Sequence, residues 1–203
     1  MHYLIGIDEA GRGPLAGPVA VGAAVVPQDF DWKLVGGAKD SKKMTPKARE
    51  FLYSKMTVLR ENGELDFAVA FSSSSMIDQW GIVPAIKSAL ARCLSKLSEG
   101  SPLTSRCEIL LDGGLCAPPE FANQRTIIRG DQSEPIISLA SIVAKVERDR
   151  LMTRLAQKYP AYAFELHKGY GTAAHCAAIR AHGLSAIHRR SFCMRLISSQ
   201  ESV

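Results

Sequence analysis

The chain has no Cys-x-x-Cys pair, no long apolar run and no basic leader. Its five cysteines (Cys93, Cys107, Cys116, Cys176 and Cys193) stand at wide, irregular intervals along 203 residues. That pattern supports neither a zinc cage nor a dithiol redox motif, and it points to free thiols in a reducing compartment. The longest apolar stretch, Leu15 to Val26, is too short to cross a bilayer and contains Gly17 and Pro18. The opening Met-His-Tyr-Leu-Ile-Gly has no basic region leading into an apolar signal core. A soluble cytoplasmic protein is expected. Repeats and low-complexity tracts are also missing, and no Ser/His/Asp arrangement stands out. His167, His175, His182 and His188 lack a metal-ligand spacing, and His175 and His182 are expected to cap a helix or face solvent.

What is present suits one compact domain over 1–203. Hydrophobic residues make up 46%, enough for a core at this length. Lys and Arg number 25 against 20 Asp and Glu, a net charge of +5 that is compatible with a polyanionic partner without demanding one. Tyr3 to Asp8 and Pro18 to Val26 read as a strand pair, Leu65 to Phe71 as a third strand. Thr45 and Pro46 open a helix that Asn62-Gly63 closes, Ser72 to Ser75 form a loop feeding at once a helix N-terminus, and Ile82 to Leu97 has helical periodicity. Cys107 to Leu111 and Gln124 to Ile128 are strands. Pro135 to Lys158 carries a helical stripe of Ile136, Leu139, Ile142, Val143, Val146 and Leu151. A shorter helix fits Thr172 to Ala181, with Gly183 as its stop. Ser198 to Val203 reads as a frayed tail. The order predicts an α/β fold, a mixed sheet covered by helices, with a helical C-terminal part from about residue 135.

The acids fall at strand ends. Asp8 and Glu9 end the first strand, Asp112 ends a buried one, and Asp131 follows another. In such sheets ligands collect at strand ends, and converging carboxylates repel one another unless a cation lies between them. Mg²⁺ or Mn²⁺, which take oxygen ligands and keep several waters, resolve the conflict. Adjacent strand residues point to opposite faces, so Asp8 and Glu9 serve one cluster only if the strand bends at Glu9 or Glu9 offers its backbone carbonyl. Taken singly, Asp112 and Asp131 lie beside glycines and also suit turns. Spacing alone leads to a metal-dependent phosphodiester enzyme.

The segment Gly6-Ile-Asp-Glu-Ala-Gly-Arg-Gly-Pro-Leu-Ala-Gly-Pro-Val19 resembles the N-terminal signature of bacterial ribonuclease HII. Asp40-Ser-Lys-Lys43, Leu111-Asp-Gly113, Gly130-Asp131, Ala140-Ser-Ile-Val-Ala-Lys-Val-Glu-Arg-Asp149, His167-Lys-Gly-Tyr-Gly-Thr172 and His188-Arg-Arg-Ser-Phe192 resemble it in the expected order. The resemblance spans nearly the whole chain. It implies a ribonuclease H-like fold with a central five-stranded mixed sheet, and four active-site acids at Asp8, Glu9, Asp112 and Asp131. It also implies cleavage of the RNA strand of RNA–DNA hybrids and of single ribonucleotides in duplex DNA, leaving 5′-phosphate and 3′-hydroxyl ends. Two divalent ions, Mn²⁺ or Mg²⁺, serve such a displacement. Type 3 relatives carry an extra N-terminal domain, for which a motif starting at residue 6 leaves no room.

Gly11, Arg12 and Gly13 suit close approach to a ribose, whose 2′-hydroxyl distinguishes RNA from DNA. Tyr170 resembles the family tyrosine that packs on the next sugar. Lys42 and Lys43, and less firmly Arg189 and Arg190, are expected to meet phosphates. Lys145, Arg148 and Asp149 read as helix-surface charges, and Met44, Met56 and Trp80 as core or edge packing. The segment 136–141 is less rich in Ala and Ser than the family pattern and is expected only to repack. A monomer without an obligate protein partner is expected. The rival readings are a non-catalytic nucleic-acid-binding module and a DNA resolvase of related fold.

Overall fold

The computed structural model describes residues 2–36, 44–98 and 107–198. One mixed sheet contains β1 (Tyr3–Ala10), β2 (Val19–Pro27), β3 (Asp66–Ser72), β4 (Cys107–Asp112) and β5 (Gln124–Ile127), ordered β3-β2-β1-β4-β5. The pairs β1–β2 and β2–β3 are antiparallel, whereas β4 runs parallel to β1 and β5 parallel to β4. The helices are α1 (Pro46–Glu61), α2 (Ser74–Trp80), α3 (Ile82–Ser98), α4 (Gly130–Ser133), α5 (Pro135–Lys158), α6 (Phe164–His167), α7 (Ala173–His182) and α8 (Arg190–Ser198).

Side-chain caps set several helix starts. Thr45 accepts from the Ala48 amide ahead of Pro46, Ser73 accepts from Met76, and Thr172 accepts from His175, each at 3.2 Å. Strand alternation then sorts the core into two layers. Ile5, Ile7, Val21, Ile109 and Leu111 face α3, which supplies Ile86, Leu90 and Leu94. Ala24, Val26 and Leu110 face α5 and α1 instead. Asp8 shares phase with Gly6, and Asp112 with Leu110, so both acids point toward α5.

Helix α5 departs from the expected single stripe. Residues 136–144 are buried without interruption, and near its C-terminal half the fully buried side chain is Met152 while Leu151 is half-buried. The cause is direct backbone contact with the sheet. A Cβ at Gly6 would lie 2.3 Å from the Ile136 carbonyl oxygen, and one at Gly22 would lie 2.4 Å from that of Ala140. With no side chain between helix and sheet, α5 sinks until its flanks are covered too.

The C-terminal helices add a third core of Met152, Tyr162, Phe164, Ile179 and Cys193, and Ala16 from the loop after β1 belongs to it. Met56 lies in the core and Met44 packs against it, but Trp80 is 48% exposed at the end of α2. Residues 190–197, which carried no helical expectation, form most of α8.

Substituting Gly6→Ala should cost about 1–3 kcal/mol, because the new methyl meets backbone that cannot swing aside. Gly114→Ala, where an added Cβ meets nothing within 4 Å, should stay within about 0.5 kcal/mol of the parent. Urea denaturation of both variants measures the contrast, and equal midpoints would contradict the packing argument.

Candidate active site

Asp8 and Asp112 sit on neighbouring parallel strands, one residue beyond the Ile7–Leu111 pair. Asp112 ends β4, but β1 runs on to Ala10, so the first strand does not end at Asp8 and Glu9 as expected. Asp8 is 3% exposed, and its carboxyl is pushed up to about 8. Burial is the main cause, and the charges of Asp112 and Glu9 add to it. A hydrogen bond with Ser141 and one from the Glu9 amide (2.7 Å) lower it only in part. Ser141 belongs to the segment expected only to repack, so that expectation is corrected: α5 touches the acid directly. Asp112 Oδ1 accepts from the Gly130 amide at 2.7 Å. This draws α4 toward the end of β4, and Asp131, the next residue, is fully buried there.

Glu9 behaves differently. Strand pairing continues through Glu9–Val21 and Ala10–Ala20, so the strand does not break at Glu9. Its side chain takes the opposite face from Asp8 and meets Arg12 at 3.2 Å. Of the two routes open to Glu9 at the Asp8 cluster, the backbone carbonyl is the one compatible with unbroken pairing.

The donors are all oxygens, the set hard divalent cations take. Among the described residues, no three His, Cys, Asp or Glu side chains already surround a single point. The acids therefore form an open set, not a closed cage. A buried carboxyl stressed by neighbouring like charges fits an ion that would relieve it, and an open set leaves room for the waters such ions retain.

Beside the acids runs the loop Gly11–Pro18. Gly11 has φ +85°, and an added Cβ would lie 2.0 Å from Arg148 Nε; only glycine fits. Arg12 and Gly13 are exposed. Tyr170 is 43% exposed, and its ring centroid is 5.7 Å from the Arg148 guanidinium. The Gly169 carbonyl accepts from the amides of Leu15 (2.8 Å) and Ala16 (3.3 Å), so the Tyr170 segment docks on the Gly11 loop. Lys42 and Lys43 lie outside the described residues.

A family model for ribonuclease HII matches residues 5–195. The chain belongs to the ribonuclease HII family. It is 43% identical over 98% of its length to ribonuclease HII of Chlamydia trachomatis serovar L2, covering 85% of that protein. Its fold is similar to the crystal structure of ribonuclease H2 from Pyrococcus horikoshii OT3 (TM-score 0.73, 28% identity, 99% of this chain and 100% of that one). It is also similar in fold to Bst-RNase HIII solved in complex with Mn²⁺ (TM-score 0.69, 18% identity, 100% of this chain and 71% of that one). As a ribonuclease HII family member the protein is a metal-dependent endonuclease acting on RNA in RNA–DNA hybrids.

Two family-like segments, and His175 between them in the chain, hold residues whose roles the sequence misread. Arg148 is 1% exposed, not a surface charge, and donates to the carbonyls of Pro18 (2.9 Å) and Ala16 (3.3 Å). The clue was periodicity, since Ser141, Ala144, Arg148, Met152 and Ala156 lie on one buried stripe at helical spacing. Its neighbours Lys145 and Asp149 do form the expected i,i+4 pair, at 3.9 Å. Arg189 is fully buried and so is not a phosphate contact. His175 is fully buried as well, against the expectation that it caps or faces solvent, whereas His182 is exposed.

The histidines form an ordered array. His188 Nδ1 accepts from the Ser185 amide at 2.9 Å, which leaves its Nε2–H to donate to His175 Nε2 at 3.0 Å. His175 Nδ1–H then donates to the Tyr170 carbonyl at 2.9 Å, and the His167 ring stacks on His175 with centroids 4.3 Å apart. This wiring requires neutral His175 and His188. Burial, reinforced by the His175 charge, pushes His188 down to about 4; burial pushes His175 down as well.

A histidine held neutral in the fold takes its proton first in the unfolded chain. Its stabilising contribution is complete above the unfolded pKa of about 6.5 and is lost as pH falls toward 4. The urea stability difference between the parent and His188→Gln should therefore shrink over that window, by on the order of 2 kcal/mol. A pH-independent difference would contradict the neutral array.

Proposed function

We propose that this chain incises duplex DNA at single embedded ribonucleotides as well as the RNA strand of hybrids. The products carry 5′-phosphate and 3′-hydroxyl ends, and the cell uses the reaction to remove ribonucleotides from DNA. The observation that carries the reading is the burial of Asp8 beside Asp112 on adjacent strands, under like-charge stress that a cation would relieve. Asp8 and Asp112 are the principal holders of divalent ions, with Glu9 and Asp131 completing the sites; Mn²⁺ and Mg²⁺ both suit the oxygen donors. When bound, a pair of such ions would supply phosphate neutralisation and acidification of the attacking water.

The remaining work falls to the chain itself. Asp8, kept in place by Ser141 and the Glu9 amide, and Asp112, kept in place by the Gly130 amide, present oxygens whose positions do not have to reorganise. Arg12 balances the Glu9 carboxylate and brings a cation to the loop edge. Gly11, Arg12 and Gly13 approach the ribose and test for its 2′-hydroxyl, and Tyr170 packs on the adjacent sugar. Lys42 and Lys43 contact phosphates. The 1–203 chain acts as one catalytic domain, as a monomer.

A duplex with one ribonucleotide should be cut at that position in Mn²⁺ or Mg²⁺ and left intact in EDTA. Asp8→Asn should lower kcat by about 10³-fold or more, several kcal/mol of transition-state stabilisation, while the Kd for the duplex changes little. Cleavage confined to branched DNA would favour a resolvase, and metal-independent binding without cleavage a non-catalytic module. Full activity of Asp8→Asn would refute the assignment of the acids.

A further inference from the structure

The backbone of the Gly11–Pro18 loop is held almost entirely by the C-terminal part of the chain. Arg189 Nη2 donates to the Gly11 carbonyl (2.7 Å), Nη1 to Arg12 (2.9 Å) and Nε to Gly17 (2.9 Å). The Arg189 amide donates to the Leu15 carbonyl at 2.8 Å, and the Gly17 amide donates to Ile187 at 2.8 Å. A short bridge pairs Ala16 with His188. Arg189 itself is fully buried. Burial, then the charge of Arg148, pushes its guanidinium down to about 9, still charged at neutral pH. Its rigid planar fork meets three carbonyls at fixed angles, which a lysine ammonium on a flexible stem cannot reproduce.

A buried cation that spends its donors on one loop, in which Arg12 and Gly13 are the exposed residues, is costly for stability alone. The loop it holds is the one assigned above to ribose recognition. We propose that Arg189 is a positioning residue for ribonucleotide recognition: by fixing the carbonyls of Gly11 and Arg12 it sets how Arg12 and Gly13 face the sugar, and so sets the preference for ribose over deoxyribose. This rests on the reading that the Gly11–Gly13 loop tests the 2′-hydroxyl. The proposed phosphate contacts are Lys42 and Lys43, so overall duplex affinity is expected to be independent of Arg189. The strap is anchored at its far side by Asp78 of α2, whose carboxylate accepts from the amides of Arg190 (2.8 Å) and Ser191 (3.0 Å) and from the Ser191 hydroxyl.

The test compares Kd for two duplexes of one sequence, with and without a single ribonucleotide, in Ca²⁺, together with kcat/KM in Mn²⁺ and amide exchange at Leu15, Ala16 and Gly17. Arg189→Lys should collapse the ribose preference in binding toward unity and lower kcat/KM about ten-fold or more. The all-deoxy Kd should stay within about two-fold, while exchange at the three amides speeds up. A purely structural role would weaken both duplexes alike. If Arg189→Lys does not fold, Asp78→Asn loosens the same strap at its anchor and should reduce the preference about three-fold, in proportion to the faster exchange. Retained preference despite faster exchange, or equal loss on both duplexes, overturns the proposal. A parent protein that shows no ribose preference sinks the underlying reading of the loop instead, and the exchange data still report whether Arg189 holds it.

Discussion

Everything at the site depends on α5 lying directly on the backbone of β1 and β2. The contact at Gly6 and Gly22 removes the layer of side chains that ordinarily separates helix from sheet. Asp8, opposite Gly22 in the register, is shut beneath the helix as a result. A carboxyl in that position is easier to protonate than to ionise, and Asp112 and Glu9 make ionisation harder still. For stability alone such a cluster is a defect. On the reading proposed above, divalent cations would supply the missing positive charge, so the fold carries a local conflict that cation binding would resolve.

The buried arginines and histidines meet the same problem by the opposite route. Arg148 and Arg189 are shut in as completely as Asp8, yet each spends its donors on carbonyls of the Gly11–Pro18 loop. The histidines avoid charge altogether, passing hydrogen bonds from Ser185 through His188 and His175 to the Tyr170 carbonyl. Asp8 and Asp112 also take partners from the chain, Ser141 and the amides of Glu9 and Gly130, yet Asp8 keeps its conflict with the neighbouring like charges.

The sequence showed the sheet well because strands obey local rules. Apolar runs stopped by Asp, Gly or Pro marked the strands, and Thr45-Pro46 and Thr172 marked helix starts. Of the acids read at strand ends, Asp112 does end β4, whereas β1 runs on past Asp8 to Ala10. The reading weakened wherever a polar residue lay inside. An arginine pair such as Arg189-Arg190 has one composition whether it reaches outward to phosphate or inward to carbonyls 172–178 residues away, and only the tertiary partner decides. Arg148 was misread too, although its place on the stripe of Ser141, Met152 and Ala156 argued for burial. Continuous strand pairing past Glu9 likewise depends on β2, which no inspection of residues 8 and 9 alone contains.

One element joins the chemistry to the recognition. Ser141 bonds Asp8, and seven residues further along α5 the Arg148 guanidinium lies where a Cβ on Gly11 would be. Seven residues are two turns, about 10 Å along the axis, and an α-helix buried on a sheet does not stretch. The separation between the acid cluster and the Gly11–Pro18 loop is thus fixed by a rigid element, not by the loop's own flexibility. A cleavage site defined relative to a ribose needs such a ruler, because the phosphate to be cut is identified only by its distance from the 2′-hydroxyl that was read. On the proposed reading of the Gly11–Pro18 loop, the ruler and the lid over the acids are the same helix, so whatever seats α5 against Gly6 and Gly22 sets the acidity of Asp8 and the register on the substrate together.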